Sequence, residues 1–577
     1  MASYLSANLP PLLQHPPVGR SQSINPSRWT YRDHQVDRGF IKIPHFLSLG
    51  WQGKVNPRAA MSKENLVVDP MTRIEGHLRF ETRVENGQVV DARCSGEMFR
   101  GIEAALIGHD ARVAQQVTQR VCGVCPYAHA EAASLALEDA MGLRPNPNGQ
   151  LLRNLIVGAY QLQDYLLHFY TLSALDFIDI TAVLDYKGSD PGLIGVRDWV
   201  ASELTSNKIF PAAPFLPRYE ADYLQDRDLN HTAIRHYLDA LPMMADLHRM
   251  VAIFGAKAPH PVTIEAGGVT TVPTVDSVMQ YHTLLSKVET FIKHSFITDV
   301  LAVAKAFKGY FNEGKGYGNL LSYPFMPDKN GGNHMTVAGA SIDGRYAPLD
   351  IRKITEDHRY SYYDNRPDSD VRPMDIQRLQ PIDYARYQAE HRKPDGKYSW
   401  TRSPRYAGQV MEVGPTARVV NTYKAGTNPQ LNSQVDRLNS ELGITLEDYP
   451  SVMGRHLSRA IMSSLIIDRL KHDLTQVEPG RLAYEERAVP RNAQGMGLTE
   501  ATRGGLAHWI ETDSEGRIAN YELIVPTTWN ISPRDAGGRP GAVEKMLIGT
   551  RLQDPQNPME LARIVRSTDP CMACSVH

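Results

Sequence analysis

Residues 120–142 read RVCGVCPYAHAEAASLALEDAMG, and their interpretation governs that of the whole chain. Pro126 suits the first position of a helix and Gly142 the residue just past its end, so the spacing predicts a helix over Tyr127–Met141. Cys125 then lies at the helix N-terminus, where the positive end of the macrodipole favours thiolate over thiol. His129, one turn on, points the same way. Cys122 and Cys125 form a CxxC pair, which places two sulfurs close enough to bind one metal ion. A second pair, Cys571-Met-Ala-Cys574, stands three residues from the end in DPCMACSVH. Together they supply four thiolates. A structural zinc site and two separate redox pairs are alternatives. However, more than 440 residues part the two motifs, which is unlike a zinc staple of a small local fold, and no thioredoxin-like pattern surrounds either pair.

Working outward, β-forming runs Leu78–Val84 and Gln88–Cys94 flank Glu85-Asn86-Gly87, a tight-turn sequence that predicts a β-hairpin. Long helical periodicities recur at about 150–177, 231–254, 276–308 and 430–475. Residues 310–425, rich in Gly, Pro, Tyr and Asp, read as loops and small sheets. The expected fold class is α+β, mainly α: a central buried bundle of long helices with small hairpins and long loops around it. Asp164 and His168, four apart on an otherwise apolar helix, need partners to offset desolvation; a structural ion pair would explain them equally well. Residues 1–62 look like an N-terminal arm, poorly ordered or the product of an overlong start ahead of Met61, and 63–577 like the body.

The bulk numbers exclude several classes. With 62 Lys+Arg against 64 Asp+Glu, nothing argues for nucleic acid as a partner. A hydrophobic content of 42% fits a soluble protein, and no uninterrupted apolar run is long enough to span a bilayer. The first 60 residues lack the layout of a secretory signal, so export would need a partner's signal. Five cysteines are too few for a disulfide scaffold, and Cys94, standing alone, reads as a small buried hydrophobe.

The motifs RVCGVC at 120–125 and DPCMACSVH at 569–577 resemble the two signatures of [NiFe]-hydrogenase large subunits of the membrane-bound or periplasmic H2-uptake group. Three further segments agree: 69–77 (DPMTRIEGH), 98–103 (MFRGIE) and 404–415 (PRYAGQVMEVGP). The resemblance runs in order from about residue 66 to the terminus. It implies Cys122 and Cys571 as terminal nickel ligands, and Cys125 and Cys574 as bridges to an iron carrying carbon monoxide and cyanide. It also implies a magnesium ion held by Glu103, His577 and the carbonyl of Leu523, although a histidine ligand is unusual for this ion. Arg503 would hang over the metals, held by paired hydrogen bonds that it donates to Asp164 and Asp569. The sequence departs from the family pattern at Thr502, where proline is expected, and that leaves loop rigidity open. Thr527 would reach a cyanide, and His129 the sulfur of Cys125.

The activity implied is reversible, heterolytic cleavage of H2 into protons and electrons. Two first bases compete, the Cys571 thiolate and the Arg503 guanidine. Arginine is almost always protonated, so the reading favours Cys571 as base, Glu75 as next proton acceptor and Arg503 as an orienting charge. Glu75 as a purely structural carboxylate is the alternative. With four cysteines committed, the chain has no ligand set left for a conventional iron-sulfur cluster. An iron-sulfur small subunit is therefore implied as partner and, through it, a membrane electron-transfer subunit. The expected location is periplasmic or membrane-associated through the small subunit, with the cytoplasm as alternative. A hydrogen sensor, the quinone-reducing subunit of respiratory complex I and a structural zinc protein are the rivals. Retention of all four cysteines argues against the second.

Overall fold

The computed structural model describes residues 63–577 apart from 207–220, 365–368, 376–379, 392, 394–395 and 555–556; the expected arm, 1–62, lies outside the described residues. The predicted hairpin is present as β2 (Leu78–Glu85) and β3 (Gln88–Gly96), antiparallel. Its turn places Asn86 and Gly87 at φ 54° and 73°, the left-handed region that these residues tolerate best. A strand not anticipated, β1 (Lys63–Val68), pairs with the outer edge of β2. Cys94 lies fully buried in β3, as its reading as a small hydrophobe requires.

Helix α1 (Ile102–Leu106) is short. Helix α2 (Pro126–Met141) starts on its proline, with Cys125 as N-cap, and ends on Gly142 at φ 58°. Helix α3 (Pro147–Leu166) is fully buried along nearly its whole length and runs on through a π-helical turn to Ser173. It packs against α4 (Arg227–Gly255), which in turn packs on α5 (Val275–Phe291). A π-helical turn links α5 to α6 (Ile297–Ala306).

The periodicity at 430–475 is not one helix. It divides into α8 (Pro429–Leu442) and α9 (Val452–Leu474), because Gly443 turns left-handed at φ 67° and Ser451 caps a new start. Residues 310–425 hold the expected short strands, among them β4 (Ile354–Asp357) paired with β5 (Ser403–Tyr406). They also hold a helix that composition hid, α7 (Pro415–Ala425), which packs on α9. Thr416, Arg418, Asn421 and Thr422 are polar yet buried within it, which interrupts the apolar pattern that hydrophobic periodicity reads.

A further unanticipated feature, a three-stranded sheet, positions the site. Strands β6 (Gln494–Ala501), β7 (Gly504–Thr512) and β8 (Ile518–Ile524) form an antiparallel sheet, and α2 lies directly on β6. The close approach requires Gly495 and Gly497: a Cβ on either would sit 2.1 Å and 2.0 Å from the carbonyl oxygens of Ala136 and Ala132. Ala501 pairs with Gly504, so Thr502-Arg503 is a two-residue hairpin tip.

Candidate metal centre

The four cysteines of the two CxxC motifs converge. Their sulfurs all lie within 4.8 Å of one another, and all four residues are buried. Cys122 Sγ is 3.3 Å from Cys571 Sγ and Cys125 Sγ 3.3 Å from Cys574 Sγ, while Cys571 and Cys574 are 2.8 Å apart. Four thiolates on a single ion at about 2.3 Å stand roughly 3.8 Å from one another. The sulfurs are thus already at metal-cluster spacing, and their donor chemistry suits a soft cation such as nickel.

Each motif is aimed by local structure. The first rests on the N-terminus of α2. The thiolate-favouring contacts there go to Cys122 rather than, as expected, to Cys125: Cys122 Sγ accepts the backbone N–H groups of Val124 and Cys125 at 3.2 and 3.4 Å. Hydrogen bonds from the Cys125, Cys571 and Cys574 thiols, and then the charge of Arg503, draw Cys122 well below the usual thiol range despite burial. Burial pushes Cys571 and Cys574 well up. Four buried thiols cannot all ionise without a cation between them.

The second motif is held against the segment around Glu75. Met572 N–H donates to Glu75 O at 2.9 Å, and Glu75 N–H to Pro570 O at 3.3 Å. Gly76, at φ 80°, allows this, since a Cβ there would come within 2.9 Å of Met572 Cβ. Glu75 Oε2 accepts from Ala573 N–H at 2.9 Å and lies 3.2 Å from Cys571 Sγ. Burial, then the charge of Cys122, raise the carboxyl above its ordinary value despite the hydrogen bond from Ala573.

Arg503 reaches the cluster from the β6–β7 hairpin tip. Its Nε donates to the carbonyl of Asp569 at 2.9 Å and its Nη2 to Asp569 Oδ1 at 3.0 Å. Asp569 adopts φ 54°, which turns both acceptors onto one guanidinium. Burial would lower Arg503, but Asp569 and the thiols of Cys571 and Cys125 hold it raised and charged.

Asp164 does not complete the expected pair. Its Oδ2 accepts from the Thr502 hydroxyl at 2.6 Å, whereas Asp164 Oδ1 and Arg503 Nη1 have no hydrogen-bond partner among the described residues. The reason is Thr502 itself, which offers a hydroxyl and an N–H that proline lacks. Tyr127 OH lies 2.6 Å from Thr502 Oγ1 and accepts the Thr502 N–H at 3.1 Å, so the tyrosine hydrogen points to the threonine and the threonine hydrogen to Asp164. The departure at position 502 therefore creates a network.

His129 also differs from expectation. Its Nε2 lies 3.7 Å from Cys574 Sγ, not against Cys125, and its Nδ1 is 3.2 Å from His508 Nε2. Burial depresses His129 to about 4, so the ring is neutral. His508, in turn 2.8 Å from Tyr521 OH, carried no signal in the sequence, being a histidine within an apolar strand. Thr527 Oγ1 accepts the Cys571 N–H at 3.0 Å, which leaves its own hydrogen free to point elsewhere.

Glu103, the Leu523 carbonyl and His577 do come together, but around a cation that the protein supplies. Arg402 Nη2 donates to Leu523 O, lies 2.7 Å from His577 Nε2 and donates to Glu103 Oε1 at 3.1 Å. Burial would raise Glu103, yet the charge of Arg402 brings it down to about 2. These three donors, already occupied by a guanidinium nitrogen at hydrogen-bond spacing, do not fit a magnesium ion, which demands octahedral oxygen ligands at about 2.0–2.1 Å.

Comparison with known proteins agrees with the centre. Residues 100–577 match the family described as nickel-dependent hydrogenase, and 65–95 match a HoxL-like pattern. The chain is 35% identical to the periplasmic [NiFeSe] hydrogenase large subunit of Desulfomicrobium baculatum, over 90% of this chain and 96% of that one. It is 33% identical to the hydrogenase-2 large chain of Escherichia coli K12, over 89% and 97%. The solved Ni-Fe-Se hydrogenase of D. vulgaris Hildenborough superposes with a TM-score of 0.77 at 35% identity, covering 89% of this chain and all of that one. With four buried thiols gathered from both ends of the sequence and a match over most of its length, the chain belongs to the nickel-dependent hydrogenases, as a large, catalytic subunit that cleaves H2.

Proposed function

We propose that the four clustered thiolates would hold a nickel-iron centre, Cys122 and Cys571 as ligands of nickel alone and Cys125 and Cys574 as ligands shared by nickel and iron. The match of both CxxC motifs to the family signatures supports this division; the sulfurs lie 3.3 Å apart within each proposed pair, and Cys571 and Cys574 lie 2.8 Å apart across them. When bound, such a centre, its iron carrying carbon monoxide and cyanide, supplies heterolytic H2 cleavage and accepts the two electrons. The chain's own residues manage the proton. The Cys571 sulfur takes it and passes it to Glu75 Oε2, 3.2 Å away; this contact is the observation that carries the reading. Arg503, fixed by two hydrogen bonds to Asp569, stays a guanidinium and orients charge at the open face. Thr527, whose oxygen accepts the Cys571 N–H, would have its own hydrogen available for a cyanide, and neutral His129 would offer an N–H to Cys574. The long helices α3, α4, α5 and α9 form the central bundle behind the centre.

Electrons leave through a partner. Cys94, the remaining cysteine, is buried in β3 beside no other thiol, so iron-sulfur clusters belong to a small subunit. No helix among the described residues is long and apolar enough to cross a membrane. The relatives named periplasmic and uptake hydrogenase large subunits support a periplasmic location, with membrane attachment through the partner.

The decisive variant is Glu75→Gln, which keeps shape and the Ala573 contact but cannot ionise. In the purified complex, nickel, iron and the infrared bands of carbon monoxide and cyanide should persist. Exchange between D2 and water protons should fall by about 10²- to 10⁴-fold. Near-normal exchange at full metal occupancy would make Arg503 the first base instead.

A further inference from the structure

Arg402 is almost fully buried, just ahead of β5, and both terminal nitrogens of its guanidinium are surrounded by acceptors. Nη1 donates to Glu356 Oε2 on β4 at 3.0 Å and to Glu522 Oε1 on β8 at 3.2 Å. Nη2 faces Glu103 Oε1 beside it in α1, the Leu523 carbonyl on β8, and the ring of the last residue, His577. The histidine tautomer is determined by its other nitrogen. His577 Nδ1 lies 2.6 Å from the Cys574 carbonyl, which can only accept, so Nδ1 carries the hydrogen and Nε2 presents a lone pair to Arg402. Glu103 Oε1 is further satisfied by the Leu523 N–H at 2.8 Å.

We propose that in this chain the Arg402 guanidinium takes the place of a divalent cation between Glu103, Leu523 and His577, and that it pins the C-terminal residue, and with it Cys574, in position. Three arguments carry this. The nitrogen sits among all three donors, so a metal could enter only if the arginine left. A planar fork of donors matches dispersed acceptors on α1, β4, β8 and the terminus in a way a lysine ammonium could not. Finally, a second, doubly charged cation beside a buried guanidinium would meet strong repulsion at low dielectric. Glu103 retains 16% side-chain exposure and lines a cavity with Tyr521 and Glu522, so an ion is kept out by Arg402 and not by a sealed site.

The test is metal analysis of the purified complex after dialysis with and without a chelator, together with its thermal midpoint. The wild type should hold nickel and iron but no stoichiometric magnesium, and its midpoint should respond to neither chelator nor added Mg²⁺. Arg402→Met should lower the midpoint by on the order of 10 °C, since it leaves buried carboxylates without their cation. Added Mg²⁺ should recover part of that loss and appear in the metal analysis. Arg402→Lys keeps one charge but not the fork, and should fall between the two. One magnesium per nickel in the dialysed wild type would overturn the proposal, whether or not the variants mature. So would an Arg402→Met complex that is as stable as wild type and indifferent to Mg²⁺. Nickel and iron contents, read from the same samples, report on the thiolate centre separately, so failure of one reading is distinguishable from failure of the other.

Discussion

Thr502 illustrates how much one side chain decides. Its N–H and hydroxyl join Tyr127 to Asp164, all three buried, and each hydrogen in the chain has one acceptor. Thr502→Val preserves the shape and the backbone N–H but leaves the Tyr127 hydroxyl hydrogen and an Asp164 oxygen without partners, which costs about 1–3 kcal/mol. The purified complex should therefore melt earlier while keeping its nickel; an unchanged midpoint would remove the network from the account. Asp164 and its neighbour Arg503 then act on each other through charge rather than through a direct hydrogen bond.

At the scale of elements, the centre depends on how closely α2 lies on β6. Gly497→Ala would set a methyl 2.0 Å from the Ala132 carbonyl and 2.6 Å from the Ala136 nitrogen, both backbone atoms that cannot swing aside. Overpacking of this kind costs on the order of 1–3 kcal/mol or more. Because α2 carries Cys125 at its start, the variant should lose nickel as well as stability, measured as nickel per chain against the melting midpoint.

Elsewhere, His236 on α4 lies 2.9 Å from both Asp299 oxygens on α6, and Asp299 also accepts from Tyr170 at 2.7 Å. The Asp299 hydrogen bond raises His236 above its ordinary value near 6.5, against the effect of burial. A raised histidine contributes its stability fully below its unfolded value, and that stability is lost as pH rises through the folded one. The advantage of wild type over His236→Gln should thus be larger near pH 5.5 than near pH 8. Equal differences at both would mean that the imidazolium does not hold these helices together.

For the whole molecule, the centre is a closure of the chain on itself. The last nine residues insert between the Glu75 segment, α2 and the β6–β7 hairpin, tied by backbone bonds such as Met572 to Glu75 and by Thr401 to Ser575. Every residue with an assigned role lies between Glu75 and His577. Removing residues 1–60 should accordingly leave H2 oxidation and nickel content of the complex nearly unchanged. Loss of the metals in that truncation would give the N-terminal segment a part in assembly.

Local chemistry was enough to pick out the four thiols that cluster, the hairpin at Asn86-Gly87 and the helix that starts on Pro126, because each is written in it: a thiol pair, a turn residue, a proline and a glycine stop. The same local character made the break at Gly443 legible only afterwards, since periodicity continued on both sides of it. Tertiary structure alone decided which sulfur receives the backbone N–H groups, that His129 meets Cys574, and that Asp164 answers to Thr502. It alone placed Arg402 among Glu103, Leu523 and His577, residues up to 474 positions apart. Charges and hydrogen bonds act through space, and a buried arginine shows its partner only when distant strands bring the carboxylates to it.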